Sequence, residues 1–234
     1  MTDAAQVESL KSTRLLRSTE TGAPIVISRA DDVVDTLASA IESGELSPGD
    51  PLSVSTLTQR LNVSAATVRG ALGVLDGMHL IEHRMNRTSV VITPTPAWFV
   101  AVASECAGLS VSAVDLGIAN ATDEQVAEFV TRADAVRAFW ETDEHDQIVG
   151  AEGFWDLIDL LAVFSRNQYL SALHASKRTA LVFGIHTLSK PRNPTMLVSV
   201  IDALVLAVRS RDRLEATDII RDLYTFVIDG ITER

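Results

Sequence analysis

Four arginines stand between residues 52 and 96 (Arg60, Arg69, Arg84 and Arg87), against two acids there, Asp76 and Glu82. The whole chain runs the other way, with 20 bases against 31 acids and a formal net charge of −11. Phosphate recognition needs a local cationic patch, not a basic whole, so this stretch is the candidate. Thr56, Ser64, Thr67, Asn86 and Thr88 lie among the arginines and can donate to phosphate or base edges. A surplus of two charges does not by itself separate a phosphate-binding face from an ordinary surface. Beyond residue 97 the histidines are His145, His174 and His186. On one helix, His174 and His186 would sit ~18 Å apart and ~120° around, so they cannot share a metal. The lone cysteine, Cys106, excludes a disulfide scaffold and a multi-cysteine zinc site. HExxH, a Gly-rich phosphate loop, a recognisable Ser-His-Asp order and a framed pair of catalytic carboxylates are all missing. Neither a metal nor a cofactor is expected.

The elements that must carry the arginines can be read locally. Residues 30–43 place Val33, Val34, Leu37, Ala40 and Ile41 on one helical face, opened by Asp31 and Asp32 and closed by Gly44. Pro48-Gly49-Asp50 makes a turn. Ser53 can cap VSTLTQRL, Asn62 suits the left-handed residue of a short joint, and Ser64 caps AATVRGALGVLDGMH. The second of these helices buries Val68, Ala71, Leu72 and Leu75, and Val63 closes the joint. LIEHR and TSVVITP then read as two strands joined by Met85-Asn86-Arg87. Three helices and a hairpin predict a winged helix-turn-helix over 29–93. Residues 1–28 show no sustained period and read as a flexible arm.

TPTPAWF at 93–99 reads as a stiff linker. From 97 to 234 the pattern is helical, with helices near 97–119, 122–141, 147–165, 167–188, 194–210 and 212–233. Thr122 with Gln125 has capping-box spacing, and Pro194 and Asp212 open the last two helices. The acidic loop at 141–147 reads as a solvated turn. The fold class is therefore mainly α, with an N-terminal winged helix-turn-helix followed by an all-α helical bundle. A 47% apolar composition excludes wholesale disorder. No uncharged run nears the ~18 residues of a membrane span, and the N-terminus lacks a secretion signal's order, so a cytoplasmic location is expected.

IESGELSPGDPLSVSTLTQRLNVSAATVRGALGVLDGMHLIE resembles the DNA-binding domain of the GntR family of bacterial transcription regulators. The matching residues are Gly44, Leu46, Pro48-Gly49-Asp50, Leu52, Leu57, Leu61, Val63-Ser64, Val68-Arg69, Ala71-Leu72, Leu75 and Leu80-Ile81. The helical remainder resembles the FadR-like (FCD) ligand-sensing domain, through SRNQYL at 165–170 and AVRSRDRLEA at 207–216. The resemblance implies a ligand-responsive regulator that is not an enzyme: a homodimer on a two-fold symmetric double-stranded operator, with a small-molecule effector inside the bundle. It puts Ser64, Ala65, Ala66, Thr67 and Arg69 at the major groove, Thr56 on phosphate, and Arg84, Asn86, Arg87 and Thr88 on the wing. The family's usual Arg after Val-Ser is Ala65 here, which removes a contact of ~1–3 kcal/mol per half-site and redirects the operator.

Many FCD domains hold a metal, but the corresponding positions here are Phe154, Trp155 or Ile158, then Ile201 and Leu223. The resemblance therefore implies a degenerate, metal-free site. Trp140, Phe154, Trp155, Phe164, Tyr169, Phe183, Tyr224 and Phe226 supply most of the bundle's large rings, so a hydrophobic carboxylate or an acyl-CoA suits the site better than a sugar acid. The candidate effector contacts are Trp155, His174, Arg178, His186, Tyr224 and Thr225. Two alternatives stay open: an effector-independent architectural protein and an uncharacterised helical-bundle enzyme.

Overall fold

The computed structural model describes residues 30–84, 88–142, 147–188 and 194–232; the expected arm, the wing-tip residues Asn86 and Arg87, and most of the acidic loop lie outside them. Helix α1 (Ala30–Glu42) buries Val33, Val34, Leu37, Ala38 and Ile41. Ala38, not the expected Ala40, completes the stripe, because it lies one turn from Val34 on the same face. Gly44, at φ 79°, ends the helix with a left-handed residue that favours glycine.

Helix α2 (Val54–Leu61) begins at Ser53, whose hydroxyl accepts from the Thr56 N–H, and ends at Asn62 with φ 52°. Helix α3 (Ala65–Gly77) begins at Ser64, whose Oγ accepts from the Thr67 N–H at 3.0 Å. Both caps and the left-handed joint fall where the sequence places them. Helix α3 turns Val68, Ala71, Leu72 and Leu75 inward, while Val63 is only half-buried at the joint.

The wing is larger than the expected hairpin. Strands β1 (Pro51–Leu52), β2 (Ile81–His83) and β3 (Ser89–Val91) form one antiparallel sheet in the order β1-β3-β2. Pro51 and Leu52, which directly follow the Pro48-Gly49-Asp50 turn, pair with Val90 and Ser89. Two residues carry no period of their own; β3, buried along its length, supplies the pairing.

Helix α4 (Pro96–Asn120) starts with Thr95 accepting from the Trp98 N–H and Pro96 in the first turn. The expected linker 93–99 is therefore short, because Pro96 carries the dihedral a first turn needs. Helices α5 (Asp123–Trp140), α6 (Gln147–Phe164), α7 (Gln168–Leu188), α8 (Pro194–Ser210) and α9 (Arg213–Thr232) complete the bundle. The capping box of Thr122 and Gln125 opens α5, and the Asp212 carboxylate accepts from the Glu215 N–H at the start of α9. Arg166 and Arg211 adopt left-handed backbone in the turns before α7 and α9, with φ 58° and 56°. Arg211 ties its turn to α4 by donating to the Ile118 and Ala121 carbonyls at 3.2 and 2.9 Å.

Helix α4 packs against α6, α7 and α9 and is the bundle's central rod. It is long and apolar enough to cross a membrane by length and composition alone. Its acids argue for the interior of a bundle instead: Glu105 pairs with Lys177 at 2.9 Å, and Asp115 with Arg213 at 2.7 Å. Phe99, Val102, Cys106, Val114 and Ile118 are buried along it. The closest approach is at Gly117, where an added Cβ would strike the Leu161 carbonyl of α6. Gly117→Ala must therefore part α4 from α6. A loss of about 1–3 kcal/mol is expected from overpacking, read as a lower midpoint in urea unfolding with an unchanged slope.

Candidate functional site

The N-terminal turn of α3 reaches solvent. Ala66 and Arg69 are exposed, and Ala65 and Thr67 are half-buried. Ser64 is exposed as well, and its Oγ also meets the Thr67 hydroxyl at 2.8 Å. Arg69 makes no ion pair among the described residues, and Asp76, its nearest sequence candidate, pairs with His83 at 3.8 Å. Arg69 is thus a solvated cation aimed outward, one turn past a helix N-terminus that already favours anions. Thr56 is exposed on α2. Arg84 is exposed on the wing beside Glu82 at 3.8 Å, and Thr88, half-buried, accepts from the Arg84 N–H through its carbonyl. Ser64, Ala66 and Arg69 are thus exposed within the first two turns of α3, while Val68 between them is buried; Asn86 and Arg87 lie outside the described residues.

The other end of α3 is fastened to the bundle. The Lys177 ammonium donates to the Gly77 carbonyl at 2.8 Å and pairs with Glu105 at 2.9 Å. Glu105 also meets His79 at 2.6 Å, and His79, at φ 61°, turns the chain so that its ring reaches α4. Burial pushes the Glu105 carboxyl up, yet the hydrogen bonds and charges of Lys177 and His79 outweigh it and hold the group below the usual carboxylate range. The next residue, Arg178, meets Glu42 of α1 at 3.5 Å and Glu152 and Asp156 of α6 at 3.2 and 3.5 Å. Sequence reading placed Arg178 at the effector. Its charge is instead absorbed by three acids, one of them 136 residues away, and it joins head to bundle.

The bundle holds an apolar cavity of about 80 Å³ between α5, α6, α7, α8 and α9. Of the expected contacts, Trp155 and Tyr224 line it. Phe154, Ile158 and Leu223, three of the residues standing where related domains carry metal ligands, line it too. Ile201 is buried and is not in the lining. Trp140, Leu181 and Ile185 complete much of the wall, and Gly150 admits the Trp140 ring, which a Cβ would strike.

His174 sits beneath the wall, fully buried and stacked on Trp155 with centroids 4.1 Å apart. Its Nδ1 meets Asp159 Oδ1 at 2.6 Å, its Nε2 meets Ser110 Oγ at 3.1 Å, and that Oγ meets the Tyr224 hydroxyl at 3.0 Å. The order Asp-His-Ser is that of a hydrolytic triad, which the sequence order concealed. Ser110 is fully buried, however, and its hydroxyl is held between two partners, so it has no approach for a substrate. Burial pushes the Tyr224 hydroxyl far up, so it stays a neutral phenol. Cys106 is likewise inert, its thiol pushed up to about 12 by burial and by the charge of Glu105.

The remaining expected contacts do not converge on the cavity. His186 and Thr225 are exposed, and the Thr225 hydroxyl donates to the Arg221 carbonyl. Helix phase contained the signal: twelve residues from buried His174 is ~120° around, and the residue after Tyr224 is ~100° around. Tyr169 and Phe226, expected among the inner rings, are 79% and 43% exposed. Among the described residues no three His, Cys, Asp or Glu side chains gather as a metal could require.

Residues 29–91 match the family of bacterial regulatory proteins called gntR, and residues 106–226 match the FCD domain. The chain belongs to the GntR family. In this GntR regulator the first match spans α1 to β3, and the second runs from within α4 to within α9. No curated protein matches it. The architecture is similar to that of E. coli McbR/YncC, at 19% identity and TM-score 0.64, covering 88% of this chain and 98% of that one. It is similar too to a GntR protein from Rhodococcus sp. RHA1, at 21% identity and TM-score 0.64, covering 87% and 97%. Lar, which controls the expression of the Listeria monocytogenes agr system, aligns at 15% identity and TM-score 0.56, covering 88% and 97%. These likenesses concern fold. The family is one of bacterial regulatory proteins.

Lys177→Met is expected to loosen the head, since it leaves the Gly77 carbonyl without its donor at a cost of about 1–3 kcal/mol. Limited proteolysis in the 92–95 connection should then run faster than in the parent chain. The depressed Glu105 carboxyl sets the pH sense. Its contribution to docking is present above its ordinary value of 4.5 and is lost as pH falls through the lower folded value. Cleavage of the parent should therefore accelerate only below about pH 4.5, and that acceleration should vanish in Glu105→Gln.

Proposed function

We propose that this regulator binds a two-fold symmetric operator as a homodimer in the cytoplasm, and that a small hydrophobic effector in the bundle cavity sets its operator affinity. The candidate effectors are an organic acid or its acyl derivative, including the acyl part of an acyl-CoA. The observation that carries the DNA reading is the outward α3 turn, with exposed Arg69 free of any ion pair among the described residues. Such a side chain reaches a guanine edge or a phosphate from the major groove. Ser64 and Thr67 accompany it, and Ala65 and Ala66 suit thymine methyls. Thr56 and, on the wing, Arg84, Asn86, Arg87 and Thr88 are assigned to backbone and minor-groove contacts.

The effector reading rests on one helix shared by two tasks. Helix α7 contributes Leu181 and Ile185 to the cavity and Lys177 and Arg178 to the head contacts. Helix α6 contributes Trp155 and Ile158 to the cavity and Glu152 and Asp156 to Arg178. A ligand that parts α6 from α7 changes what Arg178 can hold, and so favours one head position over another. An effector-independent architectural role would suit a bundle without a cavity.

Selection of bound genomic fragments, with and without a panel of short-chain acids and acyl-CoAs, tests both halves. A palindromic consensus whose recovery changes with one panel member is expected. Arg69→Ala should weaken binding to the selected operator at least tenfold at fixed salt while leaving the oligomer intact; unchanged gel shifts would reject the assignment. Exposure to EDTA should leave the melting temperature where it was, and a clear drop would reveal a structural metal.

A further inference from the structure

We infer that the cavity takes a neutral carbonyl compound, a small ketone, ester, lactone, amide or thioester acyl group, in preference to a carboxylate anion; this rests on the cavity being the effector site. The first observation is an unmet donor. Trp155 lines the cavity at 3% exposure, and its indole N–H finds no acceptor among the described residues. A buried donor left unmet is costly, and a ligand that brings an acceptor to it recovers that cost as affinity. The Tyr224 hydroxyl, also in the wall, is already engaged by Ser110, and the Trp140 indole adds a second N–H to the lining. The site therefore asks for an acceptor on an otherwise apolar body.

The second observation is charge. Trp140, Phe154, Trp155, Leu181, Leu223 and Tyr224 are typical of the lining, which among the described residues contains no Lys, Arg or His. The cations near the lining in sequence are taken up by acids: Lys177 by Glu105, Arg178 by Glu42, Glu152 and Asp156, Arg137 by Asp134 and Asp202, and Arg221 by Asp218. A carboxylate would enter without a counter-charge, which low-dielectric surroundings penalise heavily. Behind Tyr224 the hydrogen-bonded chain runs through Ser110 and His174 to the Asp159 carboxylate. A carbonyl oxygen satisfies the indole N–H without that penalty. The volume of about 80 Å³ suits a body of a few carbons, with any larger portion outside.

The test titrates the full-length protein by calorimetry with 2-heptanone, hexanamide and sodium hexanoate at pH 7.5. Hexanamide and hexanoate differ little in shape, so charge is the variable. The neutral pair should bind at least tenfold more tightly than hexanoate. Trp155→Phe keeps a ring against His174 and removes the N–H, and it should weaken 2-heptanone about tenfold. Ala151→Phe fills the cavity and should abolish binding of every probe. Hexanoate binding as tightly as hexanamide, or Trp155→Phe leaving 2-heptanone unchanged, overturns the carbonyl preference. If hexanoate wins and Ala151→Phe abolishes it, the cavity remains the effector site and only the ligand class falls. If Ala151→Phe changes no probe's binding, or no probe binds at all, the cavity reading falls with it.

Discussion

A fully buried imidazole must find partners for both of its nitrogens, and the helical domain is arranged around meeting that demand. His174 on α7 takes Asp159 from α6 on one side and Ser110 from α4 on the other, with Tyr224 of α9 completing the chain. Four helices are thereby fixed in mutual register by one polar line through an otherwise apolar interior. Apolar contacts alone tolerate sliding; a satisfied buried network does not, because any shift leaves a polar atom unmet. The cavity floor inherits this rigidity, since Trp155 lies flat on His174 and Tyr224 is the end of the line.

Charged side chains fasten the first unit to the second. Lys177 and Arg178 are consecutive, so they leave α7 about 100° apart and reach different parts of the head. One holds the carbonyl end of α3 and the other holds α1. Each is compensated by acids of the bundle as well, Glu105 for the first and Glu152 and Asp156 for the second. This sharing makes head docking sensitive to the spacing of α6 and α7. The opposite end of α3 stays free for its own task.

Local chemistry was legible in the sequence and distant pairing was not. Ser53, Asn62 and Ser64 announce the helix-turn-helix because a cap and a left-handed residue act within four residues of themselves. Strand β1 could not be read, since Pro51 and Leu52 become a strand only through β3, nearly forty residues on. Arg178 was misplaced for the same reason: the acid that draws it to the head is Glu42. Phe154, Trp155, Ile158 and Leu223, read as replacements for metal ligands, turned out to be cavity wall. His186 and Thr225 were lost by helix phase, which was countable once His174 was known to face inward. The Asp159–His174–Ser110 line joins residues from three helices, and no spacing rule announces it.

The face-to-face stack of Trp155 on His174 has one more consequence. An indole held flat against an imidazole has its fluorescence governed by that neighbour, because a charged ring draws off excitation that a neutral one leaves alone. The protein thus carries an intrinsic optical gauge at the floor of its own cavity. Anything that tilts the ring, or moves a proton along the line beneath it, alters the emitted light with no dye attached.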